Sequence, residues 1–355
     1  MQLRTLCTTL LMLLTFSLFA QVPPPVVEPR AYDFLRGENL KICVPSCPVS
    51  SDALEIQNIG NHQRFQTWTA EEHEETYDFL QRIRSCWNRC DYTRSYMVYG
   101  QTSPNLRSEK FHWQVIPYPE DGWSRLKQLQ VIWNVSFGAS FLSEKERIAQ
   151  ATQLRQYTQY LPENYQRVQA KGPSDDPFCN PGVTGNQCVY EGDEMLVLYD
   201  HAPVRIVEEN PHFLITPKKH KETFGELTAS EYKEAMALAE KVTDYFQESY
   251  PQSTLHFFHK TGKAAGQTVP HWHMHVIVVK EDAYLPSFEF PCVKSPTSCT
   301  RLDSPFRHIK MKFGQFCQSC KNFVFLMLPH RKLPPKVLEQ RVEFYKEEFN
   351  DTFEF

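Results

Sequence analysis

No block of lysine or arginine stands out anywhere in the 355 residues, and the formal net charge is −4. That absence removes the broad electrostatic footprint of a DNA- or RNA-binding chain. It leaves small anionic ligands open, because they need only a local site. Long apolar runs are also scarce. The one strongly apolar stretch, Thr8 to Ala20, is too short for a comfortable bilayer span, and no other segment offers one. The rest is ordinary globular composition, 41% hydrophobic and 23% charged. The length suits two domains, each able to bury its own core.

The apolar stretch reads as an export signal over residues 1–20. Met1-Gln-Leu-Arg4 supplies a basic start, Gln21-Val-Pro-Pro-Pro25 stops any helix, and cleavage is placed near Ala20. An uncleaved anchor is the alternative. A secreted or periplasmic protein is expected, with no membrane association after cleavage. Apart from Cys7, the cysteines fall in close pairs: Cys43/Cys47, Cys86/Cys90, Cys179/Cys188, Cys292/Cys299 and Cys317/Cys320. Behind an export signal such pairs suggest disulfides. The rival reading is zinc on Cys292, Cys299, Cys317 and Cys320. A redox role for Cys317-Gln-Ser-Cys320 is weaker, since no βαβ pattern surrounds it.

Residues 21–50 are proline-rich and read as extended. Thr69 with Glu72 forms a capping-box pattern, and Tyr77, Leu80 and Ile83 then recur at helical spacing. Strands follow at Ser95–Tyr99 and Phe111–Tyr118, and a second helix at Ser143. Gly172 to Gly185 is rich in turn residues and reads as a linker. Beyond it, strands are expected at Met195–Tyr199, Phe213–Thr216, Leu255–His259 and Trp272–Val279. A helix starts at Thr228, and a last one covers about Lys336 to Phe349. The order repeats. Thr69-Ala-Glu-Glu72 aligns with Thr228-Ala-Ser-Glu231 at an offset of 159 (69 to 228). His112-Trp-Gln-Val-Ile116 aligns with His273-Met-His-Val-Ile277 at 161 (112 to 273). Two matches in nearly one register predict two copies of one α+β module.

The second copy holds Pro270-His-Trp-His-Met-His-Val-Ile-Val-Val279. On a strand, alternate side chains share a face, so His271, His273 and His275 are expected to project together. Three imidazoles on one face suit a working surface better than unsatisfied packing. A metal site is one reading, although no Glu follows the pair as a cupin would need. Three structural histidines is another. Nucleophilic catalysis at phosphorus is the third, and the preceding loop favours it. Gly262-Lys-Ala-Ala-Gly266-Gln-Thr268 has glycines that let backbone amides approach phosphate, and Gln267 and Thr268 add side-chain donors.

Gly266 to Val276 resembles the signature of the histidine-triad (HIT) family. Pro211-His-Phe-Leu-Ile-Thr-Pro-Lys-Lys-His220 resembles the upstream strand of its phosphoramidase branch. The resemblance covers residues 188–282. It implies an α+β HIT-like fold, an antiparallel sheet with helices, here with two repeats forming an intramolecular pseudo-dimer and so a monomer. It implies that His273 is the nucleophile, that His275 serves phosphate oxygens or the leaving group, and that His271 orients the cluster. His212 matches the extra active-site histidine, Asp200 the ribose-binding acid, and Gln267 and Thr268 the phosphate loop. Lys260 stands where the family often has Asn. His275 rather than Gln at the third position points to hydrolases.

The expected function is therefore hydrolysis of nucleoside phosphoramidates or dinucleoside polyphosphates at the α-phosphorus, with no metal or cofactor. A nucleotide-binding protein with little turnover, a nucleotidyltransferase and, less favoured, a metal-binding protein are the alternatives. The first copy carries Lys110, His112 and Gln114 at the equivalent positions, with Ala53 where His212 would be, and reads as degenerate. The domain scheme is 21–171 degenerate repeat, 172–187 linker, 188–289 active repeat and 290–355 cysteine-containing extension.

Overall fold

The two threonine–glutamate pairs close as reciprocal caps. Glu72 Oε2 accepts from Thr69 N at 2.7 Å while Thr69 Oγ1 accepts from Glu72 N, and this starts α1 (Ala70–Arg89). The computed structural model describes residues 30–60, 62, 64–102, 111–120, 124–137, 141–158, 161–170, 176–204, 210–280 and 331–353. Within them follow α2 (Ser124–Phe137), α3 (Glu144–Thr158), the short α4 (Pro181–Gly185), α5 (Ala229–Ser249) and α6 (Pro335–Phe353). Thr228 and Glu231 cap α5 in the same way, at 2.8 and 3.0 Å. Its stripe Tyr232, Met236, Ala239, Val242 and Phe246 is wholly buried. Each large member of that stripe contributes about 1.5–3 kcal/mol relative to exposure.

The strands are β1 (Asp33–Arg36), β2 (Leu40–Cys43), β3 (Leu54–Asn58), β4 (Ser95–Thr102), β5 (His112–Tyr118), β6 (Cys188–Glu191), β7 (Met195–Tyr199), β8 (His212–Pro217), β9 (Thr254–Thr261) and β10 (Met274–Val279). Among the described residues they form one 10-stranded sheet in the order β1-β2-β3-β5-β4-β9-β10-β8-β7-β6, with its neighbouring strands antiparallel. Read from its middle outward, the order β4-β5-β3-β2-β1 is mirrored by β9-β10-β8-β7-β6. Register agrees too: Leu54 pairs with Val115 as Phe213 pairs with Val276. The chain is thus two copies of one α+β unit, joined through β4 and β9 into an internal pseudo-dimer.

Alternation divides the sheet into two faces. Tyr96, Val98, Trp113, Val115, Phe257, Met274 and Val276 pack in the main core with α1 and α5. The opposite face carries Met97, Tyr99, Ile116 and Tyr118, which pack with Val131 of α2. One rung crosses this second face, since paired residues share a side: Leu214, His275, Phe258, Tyr99, Gln114 and Glu55. The described residues from Tyr32 onward form one compact unit.

Several expectations change. Residues 176–187, expected to be linker, are structured. Asp176 caps a 3-10 turn at Pro177–Cys179, and Asn180 caps α4. The proline-rich start yields β1 and β2, and α2 was not anticipated. None of Cys43, Cys47, Cys86, Cys90, Cys179 and Cys188 is joined in a disulfide. The thiols serve locally instead: Cys86 Sγ donates to Tyr157 O, and Cys188 Sγ to Tyr190 O. Burial pushes the Cys43 thiol up. Cys7, Cys292, Cys299, Cys317 and Cys320, the export signal and Lys110 lie outside the described residues. Among the described residues no helix is long and apolar enough to cross a membrane.

Candidate active site

The loop ahead of β10 turns on two glycines in the left-handed region, Gly262 at φ +85 and Gly266 at φ +83, where a side chain would be strained. A Cβ on Gly262 would also collide with Ser95 Oγ. Gln267 braces the loop. Its Oε1 accepts from Gly262 N at 2.8 Å, and its Nε2 donates to Glu222 O at 2.7 Å. The side-chain amide expected on phosphate is thus engaged in holding the loop, while Thr268 lies exposed beside it.

Regular strand begins at Met274, so His271 and His273 lie just ahead of it. Simple alternation therefore does not bring all three rings together. His273 and His275 are neighbours, with ring centroids 4.8 Å apart. His271 turns into the protein, fully buried, and contacts Asp176 and the Pro217 carbonyl. His273 Nδ1–H donates to His271 O at 2.8 Å, which leaves Nε2 as the lone-pair nitrogen. Burial, partly offset by that bond, holds its pKa down to about 4, so the ring is neutral at ordinary pH.

A polar chain backs His275. His275 Nδ1 lies 3.0 Å from His212 Nε2, and His212 Nδ1 lies 3.0 Å from Asp200 Oδ2. Val204 N also approaches His212 Nδ1 at 3.0 Å. The carboxylate has the stronger claim on the ring proton, because that bond is charge-assisted. Burial raises the Asp200 pKa, yet His212 and the Ala202 N–H bring it to about 2. His275 stacks on Phe258 at 4.2 Å, which fixes its ring plane.

A second cluster stands behind His271. Asp176, Cys179, His220 and His271 present ligand atoms that all lie within 4.8 Å of one another. His220 Nδ1 is 2.9 Å from Asp176 Oδ2, and Cys179 Sγ is 3.7 Å from His271 Nδ1. Burial works against the Asp176 charge, but the Cys179 thiol, His271 and two backbone N–H groups outweigh it and lower its pKa. One thiol, two imidazoles and a carboxylate suit tetrahedral zinc. Held there, the ion would supply a structural clamp between the 176–179 turn and the first histidine. The sequence reading missed Asp176, Cys179 and this use of His220. Their signal was Asp176-x-x-Cys179 in a supposed linker.

On the other side of the site, a cavity of about 380 Å³ is lined by His212, His273, His275, Asp200, Lys260, Gln267 and Thr268. All the candidate residues except His271 therefore converge on one space. The other wall is apolar and comes from the first half: Met97, Tyr99 and Tyr118 from the sheet, and Val131, Ile132 and Val135 from α2.

The equivalent place in the first half is shut. Gln114 Oε1 accepts from Val49 N at 3.0 Å, and its Nε2 donates to Cys47 O at 3.1 Å. The 47–49 backbone thus takes up the side chain that aligns with His275. His112 sits 4.0 Å from Glu55.

Residues 182–282 match the HIT domain family model. The chain is 30% identical over 89 residues to "Protein hit" of Bacillus subtilis (strain 168), covering 25% of this chain and 59% of that protein. It is 35% identical over 66 residues to the bifunctional bis(5'-adenosyl)-triphosphatase/adenylylsulfatase FHIT of Arabidopsis thaliana, covering 19% of this chain and 37% of that protein. The chain thus spans less than two thirds of either relative. Among solved structures, an Arabidopsis thaliana ADP-glucose phosphorylase with bound ADP-glucose aligns at TM-score 0.43 and 9% identity, over 76% of this chain and 85% of that one. A HIT family protein from Bacillus anthracis aligns at TM-score 0.28 and 21% identity, over 42% of this chain and 95% of that one.

Proposed function

Since residues 182–282 are a HIT domain, we propose that this chain is a nucleotide hydrolase acting at the α-phosphorus through a nucleotidyl-histidine on His273. The observation that carries the reading is the His273 ring itself. Its Nδ1–H is committed to a carbonyl, and its neutral Nε2 is left for attack in a cavity lined by polar groups.

The steps balance. The Nε2 lone pair forms a bond to phosphorus, and the bond to the leaving group breaks with its electron pair. His275, backed by His212 and Asp200, is placed to give the leaving atom a proton. Water then attacks phosphorus and breaks the P–N bond. Its proton passes back to His275, and the nucleoside monophosphate departs. The name of the Arabidopsis thaliana relative, a triphosphatase and sulfatase of adenosyl compounds, supports cleavage next to a nucleoside phosphate. We also propose that the basic-then-apolar start directs export, and that the internal pairing of two repeats makes the chain a monomer.

The test is rapid quenching with a radiolabelled dinucleoside polyphosphate and a nucleoside phosphoramidate, without added metal. An acid-labile, base-stable adduct on His273 is expected, with water as final acceptor. Steady turnover with no adduct, or transfer only to a second phosphate, would reject the hydrolase mechanism.

A further inference from the structure

The cavity does not end at the histidines. It continues along the rung His275–Phe258–Tyr99, from β10 across β9 to β4, and α2 roofs the far end. Adjacent strands lie about 4.8 Å apart, so this end sits about 10 Å from His275. The opposite flank, toward β8, carries Asp200 and the apolar pair Val204 and Ile277. Two apolar compartments therefore stand on either side of the reacting histidines. One suffices for a nucleoside.

Between His275 and the α2 end lies Lys260, half-buried, its Nζ 5.4 Å from the Phe258 ring centre. No described carboxylate forms an ion pair with it, and burial lowers its pKa unopposed. A cation held in a cavity without a counter-ion calls for an anionic ligand group. Lys260 also sits at the loop, since its Nζ is 3.6 Å from where a Cβ on Gly266 would stand. α2 is anchored to that loop, because Gln128 Nε2 donates to Ala264 O at 2.9 Å. The apolar roof and the phosphate loop are thus held in one arrangement.

We propose that the α2-roofed end is a leaving-group subsite for an apolar or aromatic body joined to the scissile α-phosphorus through a second phosphate, which Lys260 holds. This deepens the hydrolase reading and rests on it for the word "leaving". The substrate class is a nucleoside diphosphate esterified on its β-phosphate by an apolar group, in preference to a phosphoramidate with a small amine. Attack by His273 Nε2 breaks the α–β anhydride P–O bond. The electron pair leaves on the bridging oxygen, which takes the proton from His275, and the remaining charge of the β-phosphate faces Lys260. Water later cleaves the P–N bond, so one water is consumed per turnover. The first repeat, without chemistry of its own, thereby supplies specificity through Ile132 and Val135.

The test is calorimetric binding of two non-cleavable probes to the full chain: α,β-methylene-ADP and its β-naphthyl ester. Wild type should bind the ester about tenfold more tightly, the gain of burying one aromatic face. Ile132→Asp and Val135→Asp should each bring that ratio close to one, and binding of the plain probe reports that the variants are folded. An ester bound no more tightly by wild type, or a preference that survives both variants, overturns the subsite. A tenfold preference with no turnover of any cleavable nucleotide upholds the subsite and rejects the hydrolase reading. Turnover without the preference does the reverse.

Discussion

His275 and Gln114 stand on one rung of one sheet, at equivalent places in two copies of the same unit. Their surroundings part company. His275 meets His212, which is backed by Asp200. Gln114 is taken up by the backbone at Cys47 and Val49. The cause lies one strand away: the residue before Leu54 is Ala53, where the residue before Phe213 is His212. Fold and register therefore outlast the chemistry they support, and a few side chains decide which half can work.

The sharpest way to break this comparison is to remove the central histidine from each half. His273→Ala should lower turnover by about 10⁴-fold or more, the usual consequence of losing a nucleophile. His112→Ala should leave it within about twofold, the scale of a surface change far from the reaction. Steady-state kinetics on both variants decides the matter, and the reverse pattern would place the chemistry in the first half.

Asp200→Asn tests whether the chain behind His275 matters. Loss of such an orienting carboxylate costs about 10–100-fold. The loss should appear in kcat more than in KM if Asp200 acts through His212. A rise in KM alone would instead point to ribose binding by Asp200, the role the sequence resemblance implied.

The pH profile sharpens the reading of His273. A free histidine loses its neutral form below about 6.5. Burial holds His273 to about 4, so its activity should stay level from neutral pH down to about 5 and then fall about tenfold per unit below 4. The carboxylate of Asp200, at about 2, stays charged through this range. A limb near 6.5 in kcat/KM would show that His273 is open to solvent.

Much of this was legible in the sequence, because short-range rules govern it. Capping boxes at Thr69 and Thr228 placed α1 and α5, and matched spacing around His112 and His273 revealed the duplication. What escaped depended on distant contacts. The His271–Asp176 pairing joins residues 95 positions apart, and Gln128 reaches Ala264 across 136. α2 has no strong apolar stripe to announce it, since it rests on the sheet through Val131 while Leu126 and Trp133 face solvent. The face assigned to His271 failed for a local reason: the strand starts at Met274, two residues later than expected.

A candidate metal-ligand set of this kind is found in only one half of the comparison. Among the described residues, the Asp176–Cys179–His220–His271 set has no counterpart in the first repeat. The purified chain should carry about one zinc per molecule, as a closed four-ligand site does. Cys179→Ser or His220→Ala should abolish it, and chelation should lower the melting temperature by several degrees. Elemental analysis beside calorimetry tests both. A metal-free wild type with an unchanged melting curve would leave the four residues as a hydrogen-bonded brace only.

The smallest effect is expected where the first half is shut. Gln114 is buried at 5% exposure and answers both Val49 N and Cys47 O. Gln114→Ala leaves that donor and acceptor unmatched, which costs about 1–3 kcal/mol. At about 2–4 °C per kcal/mol for a body of this size, the melting temperature should fall by several degrees. Turnover should hold, because the rung from Gln114 to His275 runs through Tyr99 and Phe258, which keep their own partners. Gln114→His restores the aligned residue and should behave the same way, since Ala53 offers it no histidine to lean on. Calorimetry and kinetics on the two variants test this together. New adduct formation on His112 in Gln114→His would mean that the first half is one side chain from activity, and that Ala53 is not what silences it.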